Sequence, residues 1–430
     1  MTKQRRFPAF SPYATRASSR DALPASLAPI TEDDRIVSLD VLRGFAVLGI
    51  LVLNIQSFAM VGSAYINPNA YGSLDGANGW VWHLTHVLGD QKFMSIFSML
   101  FGAGIVLMTT RTMAATGRSA ELHYRRMGWL LLVGLLHAHL LWYGDILFTF
   151  ALCGMVLYLL RRLPPVWLFV LAFVCLLVAS GISVFFGYSM PYWPEEQVQT
   201  LNDETWFPLA EIVQAELNAY RGGWFEQMYK RVPAAFFFET FLLVLGGFGL
   251  KAAAMMLTGM GLFKLGVLSA ARSAKTYALM AVIGLGIGFA MAEFGVRQNI
   301  AHDWEIEYSF YYGTQYNFWG SAVASIGYVG VVMLVVKLNV LGVLTRTLSA
   351  VGRMALTNYL MQTIICTTIF YGHGFGQFGH LERIEQVGVV AAIWAAQLIW
   401  SPLWLKHYRM GPFEWVWRSL SYWRMQPLRR

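Results

Sequence analysis

Long apolar runs separated by short polar segments dominate the chain, and their length predicts helices that cross a bilayer. A membrane-spanning helix needs about 20 mostly apolar residues. About ten runs meet this condition, at residues 40–60, 92–110, 126–142, 144–161, 166–186, 235–262, 276–296, 316–337, 355–371 and 387–405. The two runs between 126 and 161 could also form one kinked element, and a glycine-rich stretch is expected to bend or break the run at 235–262. The pattern therefore predicts an all-α fold, a polytopic transmembrane helical bundle of about ten spans.

The composition agrees with a membrane location. Of the 430 residues, 57% are hydrophobic and only 13% are charged, whereas soluble globular proteins carry about 25% charged residues. The many aromatic residues fit belts at the membrane interfaces. The three cysteines all lie in apolar runs without metal-ligand spacing. We therefore expect neither a disulfide framework nor a cysteine metal site.

The basic residues fall on one side of the ten-span arrangement. They occur in the N-terminal tail, after the second, fourth, sixth and eighth spans, and in the C-terminal tail. The opposite loops are poor in lysine and arginine, and the segment 188–234 is acidic. The positive-inside rule therefore predicts that both termini are cytoplasmic. This distribution also explains the net charge of +8 without a nucleic-acid partner.

The polar segments outside the spans divide the chain. Residues 1–35 are basic and proline-containing, which favours a disordered cytoplasmic tail over a cleaved signal peptide. Residues 36–408 form the transmembrane helical domain, which includes the acidic external loop at 188–234. Residues 409–430 form a basic cytoplasmic C-terminal tail. Within the external loop, residues 205–229 are compatible with a helix that caps a cavity or lies on the membrane, or with a solvated connector.

Two histidines and an aspartate lie within the apolar stretch 127–160, where ionisable groups are costly and are usually kept for a function. His137 and Asp145 share a face of a continuous helix, or face each other across a hairpin that turns near residues 143–144. Either geometry lets the carboxylate orient the imidazole as a general base. A buried histidine bonded to a backbone carbonyl is the alternative. His139 points about 200° away from His137, and the spacing does not match a helical metal-binding pair, so we expect no metal site.

Further polar residues mark both ends of the first two spans. Asp40 and Arg43 are three residues apart and can pair on one helix face. Arg43 could hold an anionic phosphate that enters from the cytoplasm, or it could extend to the membrane surface. Asn54 could donate to a ligand or join helices. In the next external segment, His83 could act as a general base, and Lys92 could contact a ligand or the lipid headgroups.

Several motifs resemble those of the YeiB-like bacterial membrane proteins, a family with a domain of unknown function. They cover nearly the whole chain in the expected order and lie at residues 39–44, 92–102, 137–147, 352–360 and 411–415. The family is distantly similar to transmembrane acyltransferases of the heparan-glucosaminide N-acetyltransferase type. That similarity implies an acyl-CoA donor bound from the cytoplasm and an acceptor on the far side of the membrane.

The resemblance also implies roles for particular residues. In one large acyltransferase branch the first span carries Arg-x10-His, whereas the corresponding residues here are Arg43 and Asn54. The Arg-x10-Asn pattern is similar to the glucosaminide branch, whose histidine lies in the following external loop near the position of His83. His137 oriented by Asp145, or else His83, is the expected general base. The expected substrate-binding residues are Arg43, Asn54, Lys92, Arg353 and Asn358.

The leading hypothesis is therefore a membrane acyltransferase that moves an acyl group from acyl-CoA to an envelope glycan or lipid headgroup. Its partners would be membrane lipids, the donor and an extracytoplasmic acceptor, and the sequence leaves open whether two copies associate as a homodimer. The alternative is a small-molecule transporter or a non-enzymatic lipid- or metabolite-binding protein. In a transporter Glu239 and Lys251 would line the path, and the glycines at 246–249 would break a helix as in known carriers.

Overall fold

The computed structural model describes residues 35–117, 119–242 and 247–430. The tail expected at residues 1–35 therefore lies outside the described residues except for its last position. Throughout the described part, helices account for every regular element, and the one extended pairing is an isolated bridge between Tyr408 and Arg429. The all-α expectation is confirmed.

The α-helices of the described ranges are α1 (Val37–Ala59), α2 (Ser63–Ile66), α3 (Ala77–Leu88), α4 (Lys92–Thr116), α5 (Ala120–Leu140), α6 (Leu147–Leu157), α7 (Pro165–Ser189), α8 (Glu195–Leu201), α9 (Ala210–Arg221), α10 (Trp224–Phe237), α11 (Phe248–Lys264), α12 (Ala274–Ala301), α13 (Ile306–Tyr308), α14 (Thr314–Leu338), α15 (Gly342–Arg353), α16 (Ala355–Phe370), α17 (Arg383–His407) and α18 (Pro412–Tyr422). Short 3-10 or π-helical turns continue α6, α7, α8, α10 and α13, at Tyr158–Leu160, Met190–Tyr192, Asn202–Trp206, Phe238–Leu242 and Ser309–Gly313.

Six helical segments of the described chain are long and apolar enough to cross a membrane. They are Val37–Ala59, Ala77–Ala114, Pro165–Tyr192, Ala274–Ala301, Ile306–Leu338 and Arg383–His407. The molecule is therefore a helical membrane protein.

The two ambiguous apolar runs are both interrupted. The stretch 126–161 forms a hairpin of α5 and α6 rather than a continuous helix. The two helices approach closely, because a Cβ atom on Gly134 would lie 2.4 Å from the backbone nitrogen of Phe148. The run at 235–262 breaks as expected, since α11 begins after Gly247, whose φ of +72° is the left-handed conformation that glycine adopts readily.

Small residues bring the central helices into backbone contact. A Cβ atom on Gly44 of α1 would lie 2.0 Å from the carbonyl oxygen of Leu348 in α15, and one on Gly352 would lie 1.9 Å from that of Asp40. Only glycine fits such an approach, which is typical of helix pairs in membranes. α1 also packs against α4, α16 and α17, so it lies at the centre of the bundle.

Near the C-terminus, α18 packs against α16, one of these central helices. Glu414 of α18 accepts hydrogen bonds from the backbone N–H groups of Leu356 and Thr357 (2.7 and 3.0 Å) and from the Thr357 hydroxyl (2.6 Å). It thereby satisfies donors at the start of α16 that the helix itself leaves unpaired. The indole of Trp417 donates to the carbonyl of Arg126 (3.0 Å). The expected C-terminal tail is therefore a helix docked on the bundle.

Candidate active site

His137 and Asp145 face each other across the hairpin between α5 and α6. The distance from His137 Nδ1 to Asp145 Oδ1 is 2.8 Å, and His137 Nε2 lies 2.9 Å from the hydroxyl oxygen of Thr363 in α16. Both members of the pair are buried, with exposed fractions of 2% and 1%. The expectation that the aspartate orients the imidazole is met, and the hairpin is the geometry that achieves it.

Local chain geometry holds this pair. α5 ends where the backbone N–H groups of Leu141 and Trp142 both donate to the carbonyl of His137 (3.0 and 2.9 Å). The other oxygen of Asp145 accepts from the backbone N–H of Phe148 (2.7 Å), at the start of α6. The carboxylate therefore ties the beginning of one helix to the end of the other.

The hydrogen bonds assign the protons. Asp145 receives the backbone N–H of Phe148 at one oxygen and contacts the imidazole through the other, and with Asp145 as a carboxylate, which only accepts, His137 Nδ1 carries the hydrogen. In the neutral imidazole Nε2 is then the acceptor, and the Thr363 hydroxyl donates to it. His137 is thus arranged to take up a proton at Nε2, with a carboxylate to stabilise the resulting imidazolium.

Helix α10 packs against the first helix of the hairpin. Arg231 of α10 donates through Nε to the carbonyl of His139 (2.9 Å), and the indole of Trp224 donates to the carbonyl of Leu140 (2.9 Å). These contacts satisfy carbonyls at the last turn of α5. Residues 205–229 are largely helical, in α9 and the first part of α10, as the sequence allowed.

Thr363 is a site residue that the sequence did not single out. Asn358 is a candidate from the same span, and Thr363 follows it by five residues on α16, beside the polar Gln362. The run of polar residues was the available signal. A threonine in an apolar helix is commonly bonded to its own backbone, so the sequence alone gave no reason to link it to His137.

The structure does not bring His83 to this site. His83 lies on α3, and its Nε2 is 2.9 Å from the carboxylate of Glu293 on α12, which also pairs with Arg297 (2.8 Å). His139 points elsewhere as expected, with Nε2 3.9 Å from Glu239. With the contact of His86 and Asp90 (3.4 Å), four histidine–carboxylate contacts exist among the described residues, and only that of His137 has both partners almost fully buried.

Arg43 pairs with Asp40 as its spacing suggested, at 2.8 Å, and Asp40 also lies 3.6 Å from Arg35. A cavity of about 730 Å³ opens near the start of α1, where Val37 contributes to its wall. Arg43 does not line this cavity. The basic residues that line it are Arg346, Arg353, Lys406 and Arg430.

Lys92 belongs to a second buried polar group, which we call the lysine cluster and define as Asp90, Lys92, Lys251, Asn317 and Ser321. The Lys92 ammonium donates to the carbonyl of His86 (2.9 Å) and to Asn317 Oδ1 (2.7 Å). Asn317 in turn donates to Asp90 (2.7 Å). The Lys92 ammonium is therefore engaged inside this cluster.

Lys251, named for the transport alternative, completes the cluster. Its ammonium donates to the Gln91 side chain, to the carbonyl of Phe318 (3.0 Å) and to the hydroxyl of Ser321 (2.7 Å). It is 2% exposed. Glu239 is not among its partners, so the two residues of the transport hypothesis contact different groups.

The two candidate asparagines differ in their surroundings. Asn358 is fully buried and donates to the carbonyl of Val351 and to Ser401 (3.0 and 3.1 Å), while its side-chain oxygen accepts from Trp400 (2.8 Å). Asn54 is partly buried, and its side chain has no hydrogen-bond partner among the described residues. It lies one helical turn before Phe58, whose ring stacks 4.2 Å from that of Trp142. Asn54 is thus the candidate that keeps its amide free.

Among the described residues, no group of three or more His, Cys, Asp or Glu side chains is arranged to hold a metal ion. The buried pair of His137 and Asp145 is extended instead by a hydroxyl group, that of Thr363. The arrangement is suited to proton transfer.

Comparisons with known proteins give the family. A family profile described as "Protein of unknown function (DUF418)" matches residues 262–424. The chain is 32% identical to the uncharacterized protein YeiB of Escherichia coli (strain K12) over 398 residues, which cover 90% of this chain and 96% of YeiB. It is 31% identical to the uncharacterized protein YxaH of Bacillus subtilis (strain 168), over 94% of this chain and 98% of YxaH. An uncharacterized 39.9 kDa protein from Bacillus acidopullulyticus is 27% identical, over 93% of this chain and 97% of that protein. The chain belongs to the family of YeiB and YxaH.

Proposed function

We propose that this member of the YeiB family is a transmembrane acyltransferase of the bacterial cytoplasmic membrane. It would move an acyl group from cytoplasmic acyl-CoA to a glycan or lipid acceptor on the other side. The observation that carries the proposal is the buried pair of His137 and Asp145, with one imidazole nitrogen fixed by a carboxylate and the other bonded to a hydroxyl. Such a costly pair in a membrane protein is usually kept for a function.

The topology that we propose has ten spans. Helices α5, α6, α11 and α16 would add four spans to the six long apolar segments. An even number brings both termini to one side. Val37, at the start of α1, and Arg430, the last residue, line the same cavity, which supports that arrangement. The basic residues of this end favour the cytoplasm, and the bacterial relatives fit the inner membrane.

The cavity near the start of α1 is the proposed entry for the donor. Arg346, Arg353 and Lys406 present positive charge around about 730 Å³, and guanidinium groups match phosphate oxygens. Because Arg43 pairs with Asp40, we do not propose Arg43 as the main residue that binds the phosphate. A CoA phosphate would be held by the residues of the cavity wall, with the thioester directed into the bundle.

The proposed reaction is a direct transfer. His137 Nε2 removes the proton from an acceptor hydroxyl or amine, and that oxygen or nitrogen attacks the thioester carbonyl carbon. The carbon–sulfur bond breaks, and the CoA sulfur takes the proton back from the imidazolium. Asn54, whose side-chain amide has no partner among the described residues, would donate to the carbonyl oxygen as it becomes negative. Thr363 would hold Nε2 until the acceptor replaces it.

The test uses the full chain in nanodiscs with a panel of acyl-CoA thioesters, and it measures thioester loss and CoA release. We expect turnover that falls by about 10²-fold or more in His137→Gln and is retained in His139→Gln, the matched histidine control from the same helix. Saturable binding of acyl-CoA should weaken in Lys406→Ala. A variant His83→Ala that loses turnover while His137→Gln retains it would assign the base to His83 and overturn our site.

Transport is a second candidate function, and it would depend on the lysine cluster. Lys251 is a buried cation in α11, which follows a broken helical run as in known carriers. If the protein is a carrier, uptake of a charged metabolite into proteoliposomes should be lost in Lys251→Met and retained in His137→Gln. The reverse result would support the acyltransferase.

A further inference from the structure

We propose that Trp142, Arg231 and Tyr371 form an anion-binding site beside the histidine–aspartate pair, which takes a carboxylate or phosphate group of a ligand. The role of that ligand as the acyl acceptor rests on the proposed function, whereas the binding site rests on geometry alone.

The three residues share an unusual state. Trp142 is 2% exposed, and Arg231 and Tyr371 are fully buried. The Trp142 indole nitrogen, the Arg231 Nη2 atom and the Tyr371 hydroxyl nevertheless have no hydrogen-bond partner among the described residues. Folded proteins seldom leave buried donors unpaired, because each one loses its bonds to water. Several other buried side-chain atoms of the described residues also lack a hydrogen-bond partner, and these three are distinguished by their place beside the histidine–aspartate pair, where a ligand would complete them.

Recorded contacts link Arg231 to Tyr371. Arg231 Nη1 donates to Gln227 (3.3 Å), and Gln227 lies 3.3 Å from His373 Nδ1. The ring of His373 is 6.1 Å from that of Tyr371. Arg231 Nε is bonded to the carbonyl of His139 at the end of α5. The guanidinium therefore lies between the hairpin and the segment that follows α16.

Trp142 joins the same region from the hairpin. It shares a buried apolar cluster with Tyr220 and Tyr371, and the rings of these two tyrosines are 4.8 Å apart. The ring of Trp142 lies 6.3 Å from the ring of His137. The site thus adjoins the imidazole on the side of the bundle that α9 and α10 cover.

The chemistry of the three groups selects the ligand. The indole N–H and the guanidinium can only donate, so the ligand must offer acceptor oxygens. Arg231 makes no ion pair with a described carboxylate: its partners are the carbonyl of His139 and the amide of Gln227, and its guanidinium lies 5.4 Å from the ring of Trp224. A buried cation without a counter-charge favours an anion. Carboxylate and phosphate oxygens match a guanidinium edge and two further donors.

The position also gives a reason for the site. An anionic group held by Trp142 and Arg231 would place the neighbouring hydroxyl or amine of the same molecule close to His137. Glu216, the acidic residue whose charge acts on nearby Tyr220, is already bonded to the backbone N–H of Gly62 (3.0 Å). It makes no hydrogen bond to Trp142 Nε1, Arg231 Nη2 or the Tyr371 hydroxyl, so it does not satisfy these donors.

The experiment measures binding without turnover. The full chain in phosphatidylcholine nanodiscs is titrated with glycerol 1-phosphate, with gluconate and with neutral glycerol, and affinity and Tm are recorded. We expect saturable stabilisation by at least one anion and none by glycerol. Tyr371→Phe removes only the unpaired hydroxyl, and it should weaken binding roughly tenfold or more. Tyr277→Phe, which removes a buried hydroxyl bonded to the carbonyl of Val267, should leave the affinity unchanged.

A second arm identifies the source of the anion. Nanodiscs that contain phosphatidylglycerol should raise the Tm of the wild type above that of Tyr371→Phe if a lipid headgroup occupies the site. A response to the soluble anions alone would identify a free metabolite. The inference is overturned if no anion binds in either arm, or if Tyr371→Phe and Tyr277→Phe bind alike. Anion binding without thioester turnover would overturn the acyltransferase and leave this site standing.

Discussion

Two groups of buried ionisable residues lie in this bundle, and they are built in opposite ways. In the lysine cluster, the Lys251 ammonium uses all three of its donors, on Gln91, Phe318 and Ser321. In the histidine–aspartate pair, Asp145 fixes Nδ1 of His137, while Nε2 accepts only from the Thr363 hydroxyl. A hydroxyl is a partner that a substrate hydroxyl can replace.

The difference predicts a structural role for the lysine cluster and a chemical role for the histidine–aspartate pair. A buried cation whose donors are all satisfied by fixed amide, carbonyl and hydroxyl groups holds three helices together. A buried base that keeps one nitrogen on an exchangeable partner can take up a proton. Both are costly in a membrane protein, so burial alone does not distinguish them, and the pattern of partners does.

The largest effect is expected from Asp145→Asn. The asparagine oxygen would keep the bond to the backbone N–H of Phe148, so its amide would donate to His137 Nδ1. The imidazole hydrogen would then move to Nε2, which could no longer act as a base. We expect kcat for acyl transfer to fall by about 10²–10⁴-fold, measured by CoA release, with the circular dichroism spectrum unchanged. Turnover equal to that of the wild type would remove the pair from the mechanism.

Lys251→Met tests the other half of the comparison. The change leaves the Gln91 side chain and the carbonyl of Phe318 without their donor, so we expect a loss of about 2–4 kcal/mol in unfolding free energy. The measurement is denaturant unfolding in detergent, beside thioester turnover, which should persist in the folded fraction. Lys337→Met is the matched control, because its exposed ammonium makes one long bond to the carbonyl of Ala270 (3.3 Å). Loss of turnover with unchanged stability would show that the cluster is functional.

The sequence predicted the periodic features of this molecule and missed those that depend on contacts between distant segments. Runs of apolar residues were enough to predict an all-α membrane protein, and the glycines predicted the break before α11. The run at 126–161 was ambiguous because a hairpin and a kinked helix contain the same apolar residues. The close approach of Gly134 to Phe148, which decides for the hairpin, is a tertiary contact.

In the candidate site too, the sequence predicted the contact within one segment and missed the contacts between distant segments. His137 and Asp145 are eight residues apart, so their encounter could be inferred from a local turn. Thr363 is 226 residues from His137, and Lys92 meets Asn317 across 225 residues. Nothing in the pattern of a single span indicates such partners. His83 was considered as a base because loop histidines are accessible, and its bond to Glu293 depends on how α3 docks on α12.

Thr363→Val tests the role of the Thr363 hydroxyl, which is the partner of His137 Nε2 that a substrate could replace. Valine keeps the shape and removes the hydroxyl, so Nε2 of His137 loses its only described partner. If Thr363 positions the imidazole, kcat should fall by about tenfold or less, KM should change little, and Thr363→Ser should restore the rate. A loss as deep as that of Asp145→Asn, together with a radiolabelled acyl group retained on the wild-type protein, would instead make Thr363 the first acyl acceptor.

The smallest effect concerns Glu216 of α9, a carboxyl group that, unlike Asp145, has no imidazole partner. Burial raises the pKa of Glu216 above its ordinary value, although the hydrogen bond from Gly62 opposes the shift. The folded protein then binds this proton more tightly than the unfolded chain does. Stability should therefore fall as the pH rises from the ordinary pKa of about 4.5 through the raised value.

Glu216→Gln should remove this dependence, because the amide keeps an acceptor for the backbone N–H of Gly62 and cannot ionise. We expect the Tm of the variant to equal that of the wild type near pH 4 and to exceed it slightly near pH 8. Glu211→Gln, at an exposed position of the same helix, controls for the loss of one negative charge. If the Tm of the wild type instead rises relative to that of Glu216→Gln as the pH increases, the surroundings stabilise the carboxylate form of Glu216.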